Sequence, residues 1–129
     1  MQNLIFKGVA TALVTPFLPT GEINFTALEN LIESQIEGGC DALLVGGTTG
    51  ESAALSDEEK SAIASFAAKI IRKRVPLIAG AGSNYTAKAA KNCAEMEKAG
   101  ADALLLVTPY YNKCTKKGLI AHYKECAKA

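Results

Sequence analysis

The sequence predicts an α/β fold of four consecutive strand–helix units with parallel strands. Short apolar runs alternate along the chain with longer segments whose apolar residues recur at helical spacing. Glycines end the first and third helical segments, and the next strand begins within about three residues. Residues 39–44, Gly-Cys-Asp-Ala-Leu-Leu, return as residues 100–105, Gly-Ala-Asp-Ala-Leu-Leu, two units later.

The strands are short apolar runs, and we expect them at residues 8–14, 42–45, 76–79 and 103–107. The second run, Ala42–Val45, is apolar throughout instead of alternating, which is typical of a parallel strand covered on both faces. Short connections through helices favour right-handed crossovers, so we expect neighbouring runs to pair in one sheet.

The helices follow the strands, and we expect them at residues 25–37, 56–73, 86–99 and from about 115 to the end of the chain. The first begins after Asn24, a good N-cap residue, and ends at Gly38. Its apolar positions recur on one face. The second opens with Ser56 and Glu59, which have capping-box spacing. The third ends at Gly100.

Composition excludes several classes of protein. The chain has 129 residues, enough for one domain with a modest core, here residues 1–129. A formal net charge of +1 argues against a nucleic acid or an anionic membrane as partner. No apolar run approaches the roughly 20 residues of a membrane span, and the first residues do not resemble a signal peptide. We therefore expect a cytoplasmic protein.

The cysteines do not form a ligand pattern. Cys40, Cys93, Cys114 and Cys126 are widely scattered, without a C-x-x-C pair, and the single histidine, His122, precedes Cys126 by four residues. We expect reduced, partly buried thiols, a histidine with a packing or surface role, and neither a metal nor a cofactor.

The segment most suggestive of chemistry is Gly46–Ser52, which follows the second strand. The C-terminal ends of parallel strands are where α/β folds place their active sites. Glycines let backbone N–H groups approach a small anion, and the hydroxyls of Thr48 and Thr49 can donate or accept. Such a loop can hold a carboxylate and pass a proton. A turn whose threonines only cap the next segment is the alternative.

Four segments together resemble the pyruvate-dependent aldolases, and most closely the dihydrodipicolinate synthase branch of that family. They occur in the family's order and spacing, at residues 12–17, 47–52, 76–82 and 107–113. The resemblance covers essentially the whole chain but only about the first half of the family pattern. It implies half of a TIM (β/α)8 barrel, because a complete barrel takes about 250 residues. A flavodoxin-like open sheet is the alternative, disfavoured because no phosphate-binding glycine fingerprint follows the first strand.

The resemblance implies roles for two threonines and a tyrosine. Thr48 would belong to a proton relay between two tyrosines, and Thr49 would bind the pyruvate carboxylate through its hydroxyl and backbone N–H. Tyr111 would cross a dimer interface and complete the relay of the neighbouring chain. Thr48 and Tyr111 are therefore the catalytic candidates, with Thr48 and Thr49 as substrate-binding candidates. For the tyrosines, packing at a barrel rim is the alternative.

Three further positions correspond to a regulatory site of the family. Ser52, Asn84 and Tyr110 match residues around which some members bind lysine as a feedback inhibitor. Lys88 stands where lysine-sensitive members carry glutamate, and its charge would repel the ammonium group of a bound lysine.

The resemblance also implies a reaction, the condensation of pyruvate with aspartate semialdehyde in lysine biosynthesis. The family forms a Schiff base between pyruvate and a lysine on the sixth strand, because an amine turns the ketone into an electron sink. That lysine would lie beyond Ala129, so we expect this chain to be inactive alone. The half of a related aldolase, such as N-acetylneuraminate lyase, is one alternative. A non-catalytic, self-associating half-barrel is another.

Half of a barrel also has consequences for assembly. Its first and fourth strands would expose unpaired edges, and its inner face would meet water. We expect a homo-oligomer with an interface above about 1,000 Å².

Overall fold

The computed structural model describes residues 4–129, which form one parallel sheet with helices packed on it. The strands are β1 (Ala10–Ala12), β2 (Ala42–Val45), β3 (Leu77–Gly80) and β4 (Ala103–Leu105). The helices are α1 (Phe25–Glu37), α2 (Asp57–Ile71), α3 (Thr86–Lys98) and α4 (Lys116–Cys126), with a short 3-10 helix at Ser52–Ala54. The strand order is β1-β2-β3-β4 and every pair is parallel, which confirms the four predicted units.

The predicted caps fix the helix starts. The Asn24 side chain accepts a hydrogen bond from the Ala27 N–H at 3.0 Å at the start of α1. The Ser56 hydroxyl accepts from the Glu59 N–H, and the Glu59 carboxylate accepts from the Ser56 N–H, which completes the capping box of α2. No helix within residues 4–129 is long and apolar enough to cross a membrane.

The two outer strands are shorter than predicted. β1 and β4 have three residues each, because a strand at the edge of a sheet has a partner on one side only. Backbone hydrogen bonding continues just beyond the C-terminal end of β1, where the Leu13 N–H donates to Leu44 O at 2.9 Å. The 3-10 helix at Ser52–Ala54 was not predicted, because three residues are too few to show a helical period.

The two faces of the sheet have different surroundings. The helix-facing side carries the core residues Leu13, Leu43, Val45, Leu77 and Ala79, all at most 3% exposed. They pack with apolar residues of the helices in one cluster. Because side chains alternate along a strand, the register places a second set on the opposite side, here called the open face, which includes Ala12, Val14, Leu44, Ile78 and Leu105. These side chains are half-buried or exposed.

An aspartate forms hydrogen bonds at the start of the β1–β2 pair, and another does so at the start of the β3–β4 pair. The Asp41 carboxylate accepts from the Val9 N–H at 2.8 Å, and the Asp41 N–H donates to Val9 O at 2.8 Å. Asp102 makes the same two contacts with Leu77, at 2.9 Å and 2.8 Å. We call each reciprocal pair an aspartate bridge. The sequence repeat therefore corresponds to a repeated structural unit of two strands.

Candidate functional site

The loop after β2 presents its two threonines at the tip of a turn. The Gly50 N–H donates to Gly47 O at 3.1 Å, so Thr48 and Thr49 occupy the two central positions. Both are exposed. Within residues 4–129 neither their amides nor their hydroxyls have a hydrogen-bond partner. The turn therefore presents two amides and two hydroxyls as donors that a small anion can bind.

Close backbone contacts hold this turn. The Thr15 hydroxyl donates to Gly50 O at 2.6 Å, and the bond is buried. Gly46 adopts a φ of 64°, and its carbonyl oxygen lies where a Cβ at Gly80 would stand, 2.0 Å away. Only glycine therefore fits at position 80. Sequence reasoning did not single out Thr15; its signal was a polar residue just after the first apolar run.

A cavity of about 360 Å³ lies beside the turn. It is lined by Thr48, Ser52 and Tyr110, together with Glu51, Ala53, Lys60, Gly82 and Val107. The structure thus brings one catalytic candidate and two regulatory candidates to one hollow. Thr49 is not part of its lining.

The two tyrosines have different environments. Tyr110 lines the cavity, and the Asn84 side-chain amide donates to Tyr110 O at 3.3 Å. Asn84, the third regulatory candidate, is therefore in direct contact with Tyr110. Tyr111 is 99% exposed and lies outside the cavity lining. Its φ is 66°, and the Asn112 N–H donates to Tyr110 O at 2.8 Å across it. A large aromatic residue in such a tight turn is strained.

Charged side chains surround one end of the cavity. The Asp57 carboxylate lies 3.3 Å from Lys88 Nζ and 4.0 Å from Lys60 Nζ. Lys60 lines the cavity, and its side chain is 16% exposed. Because Lys88 is paired with Asp57, the repulsion expected between Lys88 and a bound ammonium group is partly offset.

Cys93, Cys126 and His122 are buried in packing positions away from the turn, whereas Cys114 is exposed. All four thiols are free, and Cys93 and Cys126 are buried between α3 and α4. Burial, with a smaller contribution from Cys126, raises the pKa of Cys93 to about 11. His122 is also buried, with Nδ1 3.0 Å from the Thr86 hydroxyl. Within residues 4–129 no three potential metal ligands lie together.

Known proteins are similar to this chain in sequence and fold. A family model described as the dihydrodipicolinate synthetase family matches residues 5–129. The 4-hydroxy-tetrahydrodipicolinate synthase of Lachnoclostridium phytofermentans is 50% identical over 125 residues, which cover 97% of this chain and 42% of that protein. The synthase of Acetivibrio thermocellus is 46% identical over 129 residues, covering 100% of this chain and 44% of that protein. The chain therefore spans about two-fifths of the length of these relatives.

Solved structures agree. The dihydrodipicolinate synthase of Acinetobacter baumannii, crystallised with pyruvate, matches with a TM-score of 0.94 and 44% identity over 98% of this chain and 43% of that one. The enzyme of Cyanidioschyzon merolae, crystallised with lysine, matches with a TM-score of 0.93 and 40% identity, with the same coverage. The four strand–helix units are thus half of a TIM barrel. Because the family model matches all but the first four residues, the chain belongs to the dihydrodipicolinate synthetase family.

Proposed function

We propose that this chain supplies the carboxylate-binding and proton-relay half of a dihydrodipicolinate synthase. The complete enzyme condenses pyruvate with aspartate semialdehyde in cytoplasmic lysine biosynthesis, and the chain acts within a homo-oligomer. The observation that carries the proposal is the turn at residues 47–50, whose two threonines offer donors without a partner in residues 4–129. The relative crystallised with pyruvate supports the choice of ligand.

Each threonine has a distinct task in this proposal. The Thr49 hydroxyl and N–H bind the pyruvate carboxylate. Thr48 lines the cavity. Because a hydroxyl can accept one proton while it donates another, the Thr48 hydroxyl passes protons between neighbouring groups. Tyr111 is presented to a neighbouring chain, which explains why a strained residue is fully exposed.

The amine for the Schiff base is supplied by another segment. Such an amine must be uncharged to attack a ketone, which favours an apolar pocket. Lys60 is the lysine that lines the cavity, but it lies 4.0 Å from the Asp57 carboxylate, in an ion pair. We therefore expect the chain to bind pyruvate weakly and to be inactive alone.

Two measurements test the proposal. In an NMR titration, pyruvate should shift the amide signals of Thr48 and Thr49, and Thr49→Val should weaken binding while the control Thr20→Val does not. An unchanged spectrum at saturating pyruvate would contradict the binding role. Treatment with pyruvate and borohydride should leave the chain without a reduced adduct. A stoichiometric adduct on Lys60 would overturn the assignment of the amine to another segment.

The relay role needs a complete site. If a chain with the complementary half restores turnover, Thr48→Val should lower kcat more than it raises KM, since it interrupts proton transfer and leaves the carboxylate contacts. An effect on KM alone would assign Thr48 to binding only.

A further inference from the structure

We propose that residues 80–82, at the end of β3, form a spacer that sets the distance between the turn at residues 47–50 and the tyrosine segment, residues 107–111. Asn92 is the positioning residue that holds this spacer. The inference rests on the proposed function only for the roles of the threonines and tyrosines. Residues 76–82 carry part of the family resemblance but have no task in that function.

The spacer lies between the two segments that carry the candidate residues. β3 is flanked by β2 and β4. The turn follows β2, and the tyrosine segment follows β4. A hollow of about 60 Å³ is lined by residues of all three segments, among them Thr48, Gly82 and Val107. The contacts of the spacer therefore join segments of this chain alone.

On one side the spacer packs on the backbone at the start of the turn. A Cβ at Gly80 would lie 2.0 Å from Gly46 O and 3.1 Å from Gly47 N. Both of these atoms belong to the backbone, which cannot move aside as the end of a flexible side chain can. The absence of a side chain at position 80 therefore lets the turn approach β3 directly.

On the other side the spacer packs on the backbone of the tyrosine segment. A Cβ at Gly82 would lie 2.7 Å from Val107 N. Beside it, the Ala81 N–H donates to Leu105 O at 3.0 Å. Two adjacent residues of the spacer thus hold the chain where it leaves β4.

Space, and not backbone conformation, requires glycine at both positions. The φ angles of Gly80 and Gly82 lie outside the left-handed region. Because each glycine contacts a different neighbour, the thickness of one bare backbone fixes the separation of the turn and the tyrosine segment. The Asn84 side chain, which donates to Tyr110 O at 3.3 Å, extends this contact to the tyrosines.

A buried amide on α3 holds the spacer between its neighbours. Asn92 is 6% exposed, and its side-chain N–H donates to Ala81 O at 3.3 Å. The N–H of Ala81 is already bonded to Leu105. Both polar groups of the middle spacer residue are therefore fixed, one by β4 and the other by α3. A buried amide costs free energy unless it is hydrogen-bonded, so this bond favours one position of the spacer.

The first experiment removes the amide and follows the backbone by NMR. Asn92→Leu keeps nearly the same side-chain size but leaves Ala81 O without its donor from α3. The amide signals of residues 46–50 and of residues 107–111 should therefore shift together. Cys93→Ala is the matched control, because Cys93 is the next residue of α3 and is buried, but its thiol contacts Cys126 on α4. It should leave both groups of signals in place, even if it lowers the free energy of unfolding as much.

The second experiment adds one methyl group to each side of the spacer. Gly82→Ala should shift the signals of residues 107–111 more than those of residues 46–50, and Gly80→Ala should do the reverse. Gly118→Ala on α4 is the control, since its Cβ would lie 3.4 Å from the nearest atom, and it should shift neither group. Circular dichroism checks that each variant is folded. Asn92→Leu still tests the spacer if an alanine variant does not fold.

Pyruvate separates the spacer from the proposed function. Pyruvate should bind Asn92→Leu at least about threefold more weakly than Cys93→Ala, because a displaced turn no longer aligns its donors. A parent chain that does not respond to pyruvate, while the two groups of signals shift together in Asn92→Leu, would contradict the proposed function alone. A shift on one side only in Asn92→Leu, or the same pattern in Cys93→Ala, would overturn the spacer whether or not pyruvate binds.

Discussion

One buried hydroxyl links the end of the first strand to the threonine turn. Thr15 is 5% exposed, and its bond to Gly50 O joins residues 35 positions apart. A Cβ at Gly50 would lie 3.2 Å from that hydroxyl and 3.1 Å from Leu13 O, so the contact is tightly packed. The donors of the turn are therefore held in place before any ligand arrives.

Thr15→Val tests this contact with a side chain of nearly the same shape. The substitution leaves the buried Gly50 carbonyl without the donated bond, so the free energy of unfolding should fall by about 1–3 kcal/mol. Thr20→Val is the control, because the exposed Thr20 hydroxyl bonds only to Glu22 at 3.2 Å. It should change stability by about 0.5 kcal/mol or less. Equal effects in urea denaturation would show that the Thr15 bond is not special.

Tyr111→Gly should not reduce the stability of the chain. Glycine relieves the left-handed backbone strain, worth about 1 kcal/mol, and a side chain that is 99% exposed loses no packing. Tyr110→Gly, which removes a cavity-lining ring, should be destabilising in the same urea titration. A clear loss of stability on Tyr111→Gly would mean that the ring packs within its own chain.

At the scale of elements, the aspartate bridges set how the strands begin. Each joins a helix-to-strand connection to the start of the preceding strand, and the first leaves no room for a side chain at Gly8. A Cβ there would lie 1.9 Å from the Asp41 carboxylate.

Gly8→Ala and Gly21→Ala separate backbone strain from this steric conflict. Both glycines have positive φ, 126° and 89°, so alanine should cost about 1 kcal/mol at either position. Gly21 has nothing within 4 Å of a new Cβ, whereas Gly8→Ala must also displace Asp41 from Val9. We expect Gly8→Ala to cost about 1 kcal/mol more in thermal or urea unfolding. Equal costs would exclude a stabilising role for the first bridge.

The second bridge should make stability depend on pH. Desolvation alone raises the pKa of Asp102, but the Leu77 N–H and the Lys73 ammonium together outweigh it, and the pKa is lowered. The carboxylate therefore contributes stability above the ordinary pKa of 3.8, and this contribution is lost as the pH falls through the folded-state value. In a plot of the free energy of unfolding against pH, Asp102→Asn should reduce the slope at acidic pH. The exposed control Glu97→Gln should leave that slope unchanged. Parallel curves for Asp102→Asn and the parent chain would contradict this.

Elements with local signals were predicted closely. The bounds of α1 follow from Asn24 and Gly38, and both ends agree with the structure. The edge strands were predicted too long, since apolar character extends beyond the residues that find a partner on one side. The 3-10 helix depends on the loop's own backbone bonds, which leave no periodic pattern in the sequence.

At the scale of the whole molecule, only part of the candidate site could be predicted from the sequence. The resemblance grouped Ser52 with Tyr110, and both residues line one cavity although they follow β2 and β4, which are separated by β3. The roles of Thr49 and Tyr111 stay predictions, because they require a ligand or a neighbouring chain. Thr15 was missed because its contact spans 35 residues and depends on tertiary packing.

The strand order also bears on how the chain folds during synthesis. Each strand pairs with the strand made just before it, so no strand has to wait for a distant segment. Folding can then proceed from the amino terminus, one strand and helix at a time, as the polypeptide leaves the ribosome. Every nascent intermediate carries a growing edge that the next strand covers. Each pairing closes a loop that contains a single helix, so each step costs less loop-closure entropy than pairing with a more distant strand would.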